Sequence, residues 1–177
     1  KPETFALDGE GHGHFYGHWR RSVPLAQAIL DRLRVDNRSK RVILTLVERH
    51  DCPLPLSEKS VRRNLARYGE ETLRLLLEVK RADNLAQAEA YRDRQTLIRQ
   101  WEELLELVLA GGACFSLGQL AVKGNDLTAL GLEGPAVGVA LKELLELVID
   151  EKLPNDRGLL VEYVKAVSYT HLTLPTI

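Results

Sequence analysis

The sequence predicts an all-α protein, a bundle of about five helices followed by a smaller helical domain. Apolar residues recur at three-and-four spacing through nearly every long segment from Trp19 to Lys165. No stretch alternates with period two for long enough to make a strand. Glycine and proline mark the breaks between periodic segments, at "DCPLPL", Gly69, "GGACF" and Gly131.

Taken in order, Val23, Ala26, Ile29, Leu30 and Leu33 fall on one face of a first helix over 19–34. "RSKRVILTLVERH" repeats the pattern with Val42, Ile43, Leu46 and Val47, and the two prolines of "DCPLPL" end it. Ser57 suits the N-cap of a helix through Val61, Leu65 and Tyr68, and Gly69 suits its end. "EETLRLLLEVKRADNLAQ" and "YRDRQTLIRQWEELLELVLA" are longer amphipathic helices, the second burying Leu97, Trp101, Leu104, Leu105 and Val108. "GGACF" marks a sub-domain boundary. Beyond it, "SLGQ" has capping-box form in Ser116 and Gln119, and Gly131 stops a short helix over "NDLTAL". Pro135 fits the first turn of the next helix. Asn155 is expected to cap a last helix through Leu159, Leu160, Tyr163 and Val164. The expected organisation is therefore a first domain over 1–111, a second over 112–166, and a tail over 167–177.

Composition narrows the function. The chain has 177 residues, 45% of them apolar and 28% charged, enough to bury a core. A formal net charge of −1 gives no global positive field, so a polyanionic partner must be gripped by a local patch. Cys52 and Cys114 fit neither a disulfide framework nor a CxxC knuckle, which makes a reducing cytoplasm the expected setting. No apolar run approaches the roughly 20 residues that span a bilayer, and no signal peptide is visible. The chain contains no methionine and starts at Lys1-Pro2, as expected of a piece of a longer protein. Its last residues, "VSYTHLTLPTI", lose the helical period near Lys165; back-translated, they resemble a transposase sequencing adapter, so 167–177 is expected to be a non-native, disordered appendage.

Neither a P-loop nor GxGxxG nor GxSxG is present. Three polar features stand out instead. "GEGHGHFYGH" gathers His12, His14 and His18, and the i, i+4 spacing of the last two would put both imidazoles on one helix face. His50-Asp51 closes "LVERHD", and Asp83 sits in "RADNLAQ". Brought together in a bundle, such residues can ligate a divalent metal ion. Each also has a plain structural reading: Asp51 opening the proline-rich turn, Asp83 paired with Arg81 or Lys80, His50 complementing a helix C-terminus. "RRNLAR", with Arg62, Arg63 and Arg67, is either a solvated helix face or an RNA-gripping patch, together with Lys80, Arg81, Lys123 and Asn125.

In this order the segments resemble a family. "KPETFALDGEGHGHFYGHWRRS", "LVERHD", "RADNLAQ" and "CFSLGQLAVKGNDLTALGLEGPAVGVALKELLELVIDEKLPNDRGLL" are similar to the HD-type helical region and C-terminal region of bacterial CCA-adding tRNA nucleotidyltransferases. The resemblance covers residues 1–166. It implies an HD-like bundle in which His18, His50, Asp51 and Asp83 match metal-ligand positions for Mg2+, Mn2+ or Ni2+. The site is incomplete, because the His-Asp doublet of the family's "HDIGKP" segment would precede Lys1. It also implies that nucleotide transfer belongs to an N-terminal head whose carboxylates hold two metal ions. That head is expected to be missing here, and the chain is expected to grip the acceptor–TΨC arm of tRNA without adding CTP or ATP. The competing expectations are a metal-dependent phosphohydrolase acting on a phosphoester or cyclic nucleotide, and a plain helical interaction module.

Overall fold

The computed structural model describes residues 4–9, 11, 13–15, 17–87, 89, 92 and 94–172. Lys1, Pro2, His12 and residues 173–177 lie outside the described residues. Among the described residues, eight helices follow a minimal hairpin: α1 (Trp19–Arg32), α2 (Asn37–Arg49), α3 (Glu58–Tyr68), α4 (Glu70–Leu85), α5 (Arg94–Ala110), α6 (Gly124–Thr128), α7 (Pro135–Ile149) and α8 (Arg157–Leu172). The all-α expectation holds with one local exception. β1 (Ala6–Leu7) pairs antiparallel with β2 (Gly13–His14), placing Ala6 opposite His14. Two residues per strand are too few to show as alternation in the sequence.

The chain divides into two compact units. The first comprises residues 1–56 and 68–103, and the second 57–67 and 104–177. The second unit thus includes α3 and the C-terminal part of α5, rather than beginning at "GGACF".

In the first unit α1 packs on α2, and α2 on α4. Asp36 caps α2, its carboxylate accepting from the amides of Arg38 and Ser39 at 2.9 Å each. The core is small: Leu30 of α1, Leu73, Leu76 and Leu77 of α4, and Ile98 and Trp101 of α5. The stripe expected on α1 is only partly used, since Ile29 and Leu33 stay 46% and 64% exposed. Pro24 sits inside α1, in its second turn, and has no amide to donate to the helix ladder.

In the second unit, Cys114, Leu120, Val122, Leu127, Leu144, Val148, Leu160 and Val164 form one buried cluster. Several local expectations hold here, and one at Gly69 of the first unit. Ser57 Oγ accepts from the Ser60 amide at 3.2 Å, Gly69 has φ +75°, Gly131 has φ +91°, and Pro135 is the first residue of α7. "SLGQ" forms a single 3-10 turn but not the expected capping box: Ser116 Oγ caps no backbone amide and instead donates to Gln119 Oε1 at 2.9 Å. Two further expectations are corrected. Asp156, not Asn155, caps α8, accepting from the Leu159 amide at 3.0 Å. Asn155 instead bridges back, accepting from the Ala121 amide at 2.8 Å and donating to the Gln119 carbonyl at 2.9 Å. Helical backbone also continues past Lys165 to Leu172, because an established helix extends at little cost and the next proline is Pro175. Among the described residues no helix is long and apolar enough to cross a membrane.

Candidate functional site

His18 and His50 meet inside the first unit. His18 precedes α1 and is buried; His50 follows α2. Their Nε2 atoms lie 2.8 Å apart. The two Nδ1 atoms face backbone carbonyls, His18 that of Phe15 at 2.9 Å and His50 that of Val47 at 2.8 Å. Carbonyl oxygens only accept, so both Nδ1 atoms carry the proton and both Nε2 lone pairs point at the same space. The contact therefore needs one proton or one cation between the rings. Carbonyls fixing the Nδ1 side are also what orients histidines that bind metal. A tetrahedral ion with bonds of ~2.0–2.1 Å would set the two nitrogens roughly 3.3 Å apart, a small opening from their present distance.

The other expected partners do not close this pair into a complete site. His14 is on β2 rather than on a helix face with His18, and its Nε2 bonds the Asp8 carboxylate at 2.7 Å. Asp51 is exposed and forms a 3.7 Å ion pair with Arg94. Asp83 accepts from Gln87 Nε2 at 3.3 Å. Among the described residues no group of three or more His, Cys, Asp or Glu is arranged to hold a metal ion. The residues present fit as two nitrogen ligands, with the carboxylates of Asp51 and Asp83 lining a cavity that His50 shares.

That cavity, of about 550 Å³, has three walls. Leu77, Lys80, Asp83, Asn84 and Gln87 line it from α4 and the residues just after it. Arg94, Leu97, Ile98 and Trp101 line it from one face of α5, and the segment 50–55 completes it. Two anchors hold that segment in place. The Trp101 indole N–H donates to the Pro55 carbonyl at 3.2 Å. Lys80 Nζ donates to the carbonyls of His50, at 2.8 Å, and of Cys52. Burial, aided by the neighbouring Arg94 charge, holds the Lys80 ammonium below the usual lysine range, against the opposing pull of Cys52, Asp51 and Asp83. Asn84, buried among helix side chains, accepts from Gln95 Nε2 at 2.7 Å and donates to Gln87 Oε1 at 3.4 Å. Arg94, Asn84, Gln87 and Gln95 were not singled out from the sequence. The spacing of Arg94, Leu97, Ile98 and Trp101, one face of a helix with a cation at its head, is the signal that could have found this wall.

The expected RNA-contacting residues differ in burial and in what holds them. In the second unit Arg62 is buried, donating to the Ile149 carbonyl at 3.3 Å and to Glu58 at 3.0 Å, and pairing with Glu151 at 2.8 Å. Arg63 grips both carboxylate oxygens of Asp150 at 3.0 Å. Both arginines thus hold the C-terminal end of α7. Lys123 is exposed and donates to the Gly118 carbonyl at 2.7 Å, while Arg67 and Asn125 are also exposed. In the first unit Lys80 is bound as above, and Arg81 pairs with Glu102 through a hydrogen bond that raises its already high pKa.

Comparison with known proteins fixes the family. The model of tRNA nucleotidyltransferase domain 2 matches residues 22–164. The chain belongs to the tRNA nucleotidyltransferase family. A CC-adding tRNA nucleotidyltransferase of Thermus thermophilus is 35% identical over 149 residues, which are 82% of this chain and 32% of that relative. The chain thus spans about a third of the length of this tRNA nucleotidyltransferase. No solved structure matches the chain. The matched segment begins after His18 and takes in His50, Asp51, Asp83 and every cation named above.

Proposed function

We propose that this chain is the tRNA-gripping part of a CCA-adding tRNA nucleotidyltransferase, working in the cytoplasm and paired in the longer protein with an N-terminal head that transfers nucleotides. The family match over 22–164 is the observation that carries this reading. The all-helical fold is consistent with it, since the two-metal carboxylate site of nucleotidyl transfer belongs to the head. Contact with RNA falls to exposed cations, Arg67, Lys123 and Asn125's neighbourhood at α6, which suit backbone and shape recognition of a helical arm. Incubating the chain with an acceptor–TΨC minihelix and labelled CTP or ATP tests the division of labour. No incorporation is expected; measured incorporation would sink the assignment of transfer to the head.

The His18–His50 pair supports a second reading, an HD-type phosphohydrolase region that holds Mg2+, Mn2+ or Ni2+. Two imidazole nitrogens come from this chain, with Asp51 and Asp83 as the adjacent carboxylates. A divalent ion there supplies Lewis-acid activation of a phosphoester or of water. With two nitrogen ligands, calorimetry with manganese or nickel should show weak binding that His18→Ala removes. Tight stoichiometric binding would mean a complete site, and heat unchanged by His18→Ala would place the ion elsewhere.

A further inference from the structure

We propose that the cavity between α4, α5 and the segment 50–55 takes one unstacked nucleotide of an RNA strand, its base against Leu77, Leu97 and Ile98 and its phosphodiester on Arg94. The proposal rests on the tRNA reading above and adds a specific subsite to it.

The volume of about 550 Å³ falls within the range of small-molecule sites. Its wall is chemically divided. Leu77, Ile98 and Trp101 are buried and apolar, and Leu97 is 42% exposed at the same face. Because the Trp101 N–H is held by Pro55, the indole offers the cavity apolar surface rather than a donor. An aromatic base gains from such a wall, and RNA bases splayed out of a helix are recognised by apolar contact on their faces and hydrogen bonds at their edges.

Gln87 can supply the edge contact. Its amide accepts from Asn84 at 3.4 Å and donates to Asp83 at 3.3 Å, both at the long end of hydrogen-bond range. A base edge offering one acceptor and one donor can replace both contacts. Arg94 heads α5 with a guanidinium side chain 58% exposed, and its 3.7 Å pairing with Asp51 is an ion pair without a hydrogen bond. It is positioned to turn onto a phosphate, and the first turn of a helix favours an anion as well. Lys80 cannot play that part, being bound to two carbonyls. The cavity's cations, Lys80 and Arg94, are balanced by Asp51 and Asp83. That balance suits a singly charged phosphodiester better than a free phosphate dianion.

The test titrates Trp19→Phe protein, whose remaining tryptophan is Trp101, with mononucleotides in the form of the methyl phosphodiesters of the four nucleoside 5′-monophosphates, with their nucleosides, and with a tRNA minihelix. Saturable nucleotide binding is expected. Leu97→Glu, a change at an exposed wall position, should weaken it by roughly tenfold or more with an unchanged circular dichroism spectrum. Arg94→Ala should bring each nucleotide down to the affinity of its nucleoside and leave the nucleoside unaffected. Gln87→Ala should change the ranking of the four bases. Minihelix binding without any mononucleotide binding overturns the subsite and leaves the tRNA reading standing. Mononucleotide binding that Leu97→Glu leaves intact also overturns it. Mononucleotide binding without minihelix binding contradicts an RNA strand as the source.

Discussion

Arg62 shows how much a single side chain can be misread from sequence. In "RRNLAR" it looks like one of three cations on an open helix face. In the folded chain it is buried against the end of α7, where its guanidinium satisfies the Ile149 carbonyl and pairs with Glu58 and Glu151. Arg62→Ala strands that carbonyl and should destabilise the protein by roughly 1–3 kcal/mol, read as a lower denaturation midpoint. Arg67→Ala, at the exposed end of α3, should shift the midpoint little. Glu58, four residues before Arg62, was visible in the sequence as a helical partner. Ile149 and Glu151 were not, since nothing local connects positions so far apart. The same limit applies to the histidines. Spacing paired His18 with His14, but the backbone puts His14 on β2 and brings His18 to His50. His50 stood out in the sequence as a polar feature of its own, and the resemblance to a family joined it to His18.

At the scale of elements, the helices with strong punctuation were legible. Ser57, Gly69, Gly131 and Pro135 act locally through hydroxyl, φ angle or missing amide, and each does in the structure what its type allows. Errors arose where two residues competed for one role. Asn155 and Asp156 are both good caps; Asp156 takes the helix because Asn155 is drawn to the backbone at 119–121. The end of α8 was misjudged for another reason. Helical propagation needs no apolar period, so the backbone stays helical to Leu172 although Val164 is the last buried residue among those described. Removing residues 168–177 should therefore change the thermal midpoint by no more than a degree or two. A loss of several degrees would show that this end packs into the second unit.

At the scale of the molecule, the glycine pair of "GGACF" reads as a boundary in the sequence, while the fold groups α3 with the C-terminal part of the chain. Such grouping depends on contacts between segments distant in sequence, such as Arg63 with Asp150, and composition carries no trace of them. Family membership, by contrast, was legible because motif order survives where contacts are invisible. The proposed function is that the chain grips tRNA through helical shape and phosphate charge. Binding of the chain to an acceptor–TΨC minihelix, titrated across salt, tests it most directly. Weak binding alike for minihelices of different sequence is expected, with log K falling linearly as log salt rises, since each phosphate contact releases counterions. Undetectable binding at low salt by a chain that remains folded, or binding indifferent to salt, would contradict it.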